Sequence, residues 1–169
     1  NEDETSVAQQ LQLAADAGVT KFMCVGTNAD SSKRCLEISE QHEQVIASLG
    51  IHPNDVGEHD ALDHKLAQII EMSEQGTWHS IGETGLDFFH NRCEASVQEK
   101  SLLFHLDLAE RLNLPTIIHC REAVEQLVAI LEKRGREVNG VMHCFSEGPE
   151  FVEQLLALGL HFSFAGNVS

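Results

Sequence analysis

The sequence predicts an α/β fold in which parallel strands alternate with helices and close into a (β/α) barrel. Short, near-continuous apolar runs of strand length alternate with longer segments whose apolar residues recur at helical spacing. Strands buried on both faces in this way belong to a parallel sheet covered by helices. Three of the runs end on side chains able to bind a metal: Ser80-Ile81-Gly82-Glu83, Pro115-Thr116-Ile117-Ile118-His119 and Gly140-Val141-Met142-His143. An open doubly wound sheet gathers its site at one switch point, whereas a barrel draws on many strand ends. No GxGxxG or Walker loop follows the first strand, which also favours the barrel.

The elements follow in order. Val7, Leu11, Ala14 and Ala15 mark an opening helix that stops at Gly18, and residues 19–25 are an apolar, β-branched strand. Residues 31–43 read as a second helix with Ser31 or Ser32 as its N-cap. A strand at 45–50 leads to His52-Pro53, and Leu62, Leu66, Ile69 and Ile70 give a helix over 62–74. A short strand at 78–82 precedes a long helix over 96–113, where Leu102, Leu103, Leu106, Ala109 and Leu112 keep the 3.6-residue period. Then come the strand ending at His119, a helix at 123–134, the strand ending at His143, a helix at 148–158 and a strand at 160–164. An eight-unit barrel takes roughly 31 residues per strand–helix unit. At that rate the 169 residues supply about six of eight units. The expectation is one domain over residues 1–169, the centre of a barrel lacking its first and last strands.

Composition narrows the function. The net charge is −16 with only eleven Lys and Arg, so sequence-independent binding along a duplex by counterion release is excluded as the main source of affinity. A nucleic-acid substrate would have to be held locally, through a metal and one or two arginines. The segment Asn1-Glu2-Asp3-Glu4 is the reverse of a signal peptide, and no apolar run of membrane-spanning length exists. Five cysteines without a CxxC pair point to a reducing, cytoplasmic setting and away from a disulfide framework.

Five motifs then stand in register: Gly50-Ile51-His52-Pro53, Ile81-Gly82-Glu83-Thr84-Gly85-Leu86-Asp87, Leu114-Pro115-Thr116-Ile117-Ile118-His119-Cys120-Arg121-Glu122-Ala123, His143-Cys144-Phe145-Ser146 and Phe164-Ala165-Gly166-Asn167-Val168. In order and spacing the chain resembles the TatD-type metal-dependent deoxyribonucleases over essentially its whole length. The resemblance implies a TIM-like barrel of the amidohydrolase kind and a divalent-metal phosphodiesterase, with two ions (Mg, Mn or Zn), that removes nucleotides from single-stranded DNA ends or oligonucleotides. It also implies roles. Glu83 is the catalytic carboxylate and a metal ligand, and His119 and His143 are the two histidine ligands. His52, Arg121, Asp87 and Asn167 bind substrate, with Asp87 equally open to a capping role. The family's opening HxH pair would lie before Asn1 and its terminal aspartate beyond Ser169, so this stretch alone is expected to be impaired. The alternatives are a non-catalytic truncated barrel or another barrel metallohydrolase acting on an amide, an ester or aminoacyl-tRNA. Cyclic-amide hydrolases of this kind place a carboxylated lysine where Glu83 stands, which counts against them.

Other residues are set aside. Cys120 and Cys144 follow His119 and His143, so alternation turns them away from the site and buried, inert thiols are expected. His42, His59, His64, His79, His90, His105 and His161 are assigned to surface or packing. A chain missing its outer strands would expose two sheet edges, near Val19 and Leu160, through which copies could associate.

Overall fold

The computed structural model describes residues 6–166. Helix α1 (Val7–Asp16) opens on a capping box: the Gln9 amide donates to the Ser6 hydroxyl, and the Ser6 N–H donates back to the Gln9 side chain. Strand β1 (Phe22–Cys24) is shorter than the apolar run that predicts it. Helix α2 (Ala29–Gln41) is capped by Asn28, not by Ser31 or Ser32. Ser31 N–H donates to Asn28 Oδ1 at 2.9 Å, and Ser31 Oγ accepts the Asn28 N–H at 3.0 Å. Ser32 is fully buried. Several cap-competent side chains lie close together here, and only the path of the chain out of β1 selects among them.

The remaining elements are β2 (Val45–Leu49), a 3-10 turn (Pro53–Asp55), α3 (His59–Ser73), β3 (Ser80–Asp87), α4 (Ala95–Leu112), β4 (Thr116–Arg121), α5 (Val124–Arg134), β5 (Gly140–Met142), a second 3-10 turn (Pro149–Phe151), α6 (Val152–Ala157) and β6 (Leu160–Phe162). The helix expected over 148–158 is thus split. Pro149, which has no N–H to donate, opens a tight turn closed by the Phe151 N–H on the Gly148 carbonyl.

Every strand pairs in parallel with its neighbour in sequence, in the order β1-β2-β3-β4-β5-β6. A doubly wound sheet reverses its order at a switch point; this one never does. Each right-handed crossover steps the same way, and the sheet curls into a TIM-like half-barrel. Two clusters form the core. One packs Leu49, Ile51, Leu62 and Ile81, and the other Leu102, Ile118, Leu127, Leu131 and Met142. The strands' carboxyl ends are thereby gathered on one side.

Strand β3 runs five residues beyond the 78–82 segment expected from apolarity. The polar and glycine-rich continuation through Asp87 is buried, and it pairs with β4. Gly85, at φ +145°, lies where a β-carbon would run into the His119 carbonyl, so the glycine permits the close approach of the strands. The pairing shifts between Ile81 and Thr84, with one extra residue on β3. Such a bulge re-aims the side chains it contains, and Glu83 lies inside it.

Candidate metal and phosphate site

The carboxyl ends of β2, β3 and β4 bring together His52, Glu83, Asp87 and His119. His52 follows β2 and is held by backbone on both sides. Its N–H donates to the Thr27 carbonyl at 2.8 Å, and the preceding Ile51 N–H donates to Nε2 of the fully buried His105 at 3.2 Å. His105 Nδ1–H in turn donates to the Ser101 carbonyl at 2.7 Å. Both ring nitrogens are satisfied by a neutral imidazole, and burial pulls the His105 pKa down to about 4.

The His52 ring has a defined tautomer. Asn54 N–H donates to its Nδ1 at 3.2 Å, so the single proton of the neutral ring sits on Nε2. Burial and the neighbouring His119 lower the His52 pKa, against the opposing pull of Glu83, Asp55 and Asp87. The ring is a hydrogen-bond donor turned toward His119, with centroids 4.4 Å apart.

Asp87, at the end of β3, has a side chain with no solvent exposure. Its Oδ1 accepts the His90 N–H at 2.9 Å, and its Oδ2 accepts from Asn54 Nδ2 at 2.8 Å and faces His90 Nδ1 at 2.8 Å and His119 Nε2 at 3.1 Å. Burial alone would raise its pKa. The hydrogen bonds from His90 and Asn54 and the field of His119 outweigh it and hold the carboxyl well below the usual carboxylate range. Glu83 obeys the same balance: burial raises its pKa, while the bond to His119 and the fields of His119, His52 and His143 bring it below the ordinary value.

His119 lies between two carboxylates, with Nδ1 3.2 Å from Glu83 Oε1 and Nε2 3.1 Å from Asp87 Oδ2. A neutral imidazole has one proton and can donate to only one of them; the other contact requires a second proton or a cation. Side-chain atoms of His52, Asp87 and His119 that can ligate an ion lie within 4.8 Å of one another, His52 doing so through Nε2 only after giving up the proton held there. Imidazole nitrogens and carboxylate oxygens at this spacing fit a divalent ion of the Zn, Mn or Mg type.

Of the residues singled out from sequence, His52, Glu83, Asp87 and His119 therefore converge. His143, directly after β5, is exposed and acts electrostatically on Glu83. Arg121, at the end of β4 and in register with Asp87, is also exposed. Its guanidinium carbon lies 4.0 Å over the centre of the Phe89 ring, and it forms no salt bridge with the described residues. Asn167 lies outside the described residues. Cys120 is buried in the core, and its thiol pKa is pushed up to about 12 by burial, as an inert thiol requires. Cys144 is only half-buried and takes a positive φ of 51°, so strand alternation does not govern it.

Sequence reasoning missed two participants. His90, set aside as surface or packing, binds Asp87, and Asn54 binds both Asp87 and His52. The available signals were local: a turn-forming Asn two residues after His52, and a His three residues after Asp87.

A family model, TatD related DNase, matches residues 1–169. The chain belongs to the TatD-related DNase family. Its TatD relatives include the metal-dependent hydrolase YabD of Bacillus subtilis (strain 168), 32% identical over 98% of this chain and 65% of that protein. The 3'-5' ssDNA/RNA exonuclease TatD of Escherichia coli (strain K12) is 32% identical over 92% of this chain and 60% of its own length. Among solved structures, the TatD homologue YjjV of Escherichia coli K12 superposes with a TM-score of 0.77 at 31% identity, covering 90% of this chain and 59% of that one. A TatD-family hydrolase from Entamoeba histolytica has the same fold, with a TM-score of 0.76. The chain thus spans 65% and 60% of the length of these two curated relatives. Its curled parallel sheet is that of the TIM-barrel-like fold of these relatives. No helix among the described residues is long and apolar enough to cross a membrane.

Proposed function

We propose that this chain belongs to a divalent-metal-dependent phosphodiesterase that releases nucleotides from single-stranded DNA ends. The observation that carries the reading is His119 held between two buried carboxylates, an arrangement short of one positive charge. Asp87 Oδ2 already faces donors on Asn54 and His90, so it is best suited to accept the His119 Nε2–H and orient the ring, as carboxylates behind metal-bound histidines do. The Nδ1 lone pair then faces Glu83, and these two with His143 would hold a pair of ions. When bound, divalent ions lower the pKa of an attacking water and neutralise charge on the phosphate.

The chain's own residues supply the rest. The Nε2–H of His52 can donate to a phosphate oxygen, and Arg121, in no salt bridge among the described residues, offers a bidentate edge to another. Glu83, kept ionised, is a ready acceptor for a proton from water. Substrate binding by Asn167, cytoplasmic location and association through the β1 and β6 edges complete the reading. That the E. coli TatD relative is a 3'-5' ssDNA/RNA exonuclease supports the substrate class.

Release of nucleotides from an end-labelled single strand by the full-length protein tests it. Glu83→Ala should cut metal-dependent release by about 100-fold or more, as loss of a group that stabilises charge in the transition state does. Undiminished release by that variant, folded to the same helix content, would refute the assignment.

A further inference from the structure

Phe89 is half exposed, at 50%, although it sits at the rim of a buried polar cluster. Its neighbour Phe88 packs into the core; Phe89 turns outward. The ring nonetheless has two close neighbours. One face carries the Arg121 guanidinium at 4.0 Å, and the ring of His90 meets it edge-on with centroids 4.9 Å apart and planes at 88°. His90 is itself tied to Asp87 at 2.8 Å. An exposed aromatic surface thus lies beside the candidate site, in contact with side chains that are themselves part of it or at its rim.

The charge balance says what that would be. With eleven basic residues against twenty-seven acidic ones, the chain has little Coulomb attraction for a strand, and affinity has to come from elsewhere. Stacking of a base on an aromatic ring is sequence-tolerant and needs no cationic groove. A base in a duplex is already stacked and paired; a base at a single-stranded end is free.

Resting on the nuclease reading above, we propose that Phe89 is a specificity-determining shelf that stacks the unpaired nucleobase next to the phosphate held by Arg121, and so selects single-stranded ends. Arg121 and Phe89 act as one unit, the cation taking the phosphate and the ring taking the base.

The test measures binding by fluorescence anisotropy in the full-length protein without divalent metal, so that nothing is cleaved. Two single-stranded oligonucleotides are compared, one ending in thymine and one ending in an abasic residue. Wild type should bind the base-bearing end about 10-fold more tightly. F89A should bring the ratio close to 1, and F89W should restore it. Both ends will bind F89A more weakly if the ring also steadies Arg121, which is why the ratio is the readout. A ratio unchanged in F89A, or a ratio near 1 in a wild type that still releases nucleotides, overturns the shelf alone. Failure of the wild type both to bind either strand and to release nucleotides overturns the nuclease reading and the shelf with it.

Discussion

At the amino end of the sheet, where α4 and α5 lead into β4 and β5, Arg134 donates to Asp107 at 3.0 Å and to Glu110 at 2.6 Å, and Arg136 reaches both Glu110 oxygens at 2.9 and 2.8 Å. At the carboxyl end, among the described residues, Glu83 and Asp87 face imidazoles, the Asn54 amide and the His90 backbone N–H. The first network pairs permanent cations with carboxylates that are 50% and 63% exposed. It is electrically closed, and all its side chains but that of Arg134 are at least half exposed. The second is buried and lacks a permanent cation. In a (β/α) barrel the amino face serves stability and the carboxyl face chemistry. Here the difference lies in the cation: Arg supplies it below, and above it has to come from a proton or a metal ion.

Acid should act on the upper end most strongly. His105, which pins Ile51 beside His52, is neutral when folded, with a pKa lowered to about 4 by burial. An unfolded histidine takes up its proton near pH 6.5. Between those values the unfolded chain binds the extra proton, so stability is complete above about pH 6.5 and falls as the pH drops toward 4, by about 3 kcal/mol in all. Thermal unfolding across that range should show the loss, and His105→Gln should flatten it. An equally steep fall in the variant would mean that other groups carry the acid sensitivity.

Asp87→Asn comes next and sharpens what the upper end is for. If the carboxylate orients His119 from behind, divalent-metal affinity measured by calorimetry should drop about 10- to 100-fold. A complete loss of binding would make Asp87 a direct ligand; unchanged affinity would remove it from the site.

The smallest effect belongs below. Arg136→Ala should cost under about 1 kcal/mol, diminish further at high salt and leave metal affinity untouched, because the pairs are exposed and screened. A metal-dependent response of this variant would erase the distinction between the two ends.

Much of this was written in local pattern. Strand and helix order followed from apolar periodicity, because burial on a parallel sheet and on one helix face leaves distinct spacings. Glu83 and His119 stood out because each closes an apolar run, and the family resemblance ordered them. What the sequence left open are matters of approach between distant segments. The buried course of β3 through Asp87 depends on Gly85 lying against the His119 carbonyl, and a string of Gly, Glu and Thr has no periodicity to announce it. Asn28, and not the expected Ser31 or Ser32, caps α2, because Ser31 already lies within the helix and Ser32 is buried. His90 and Asn54 are unremarkable until Asp87 is buried between them, when its desolvation demands donors. By itself, then, the sequence determined which segments are strands and which of them end in metal-binding groups. Tertiary structure alone decided that β3 stays buried through Asp87 and that two carboxylates share one imidazole, because those are distances across strands, which no local spacing encodes.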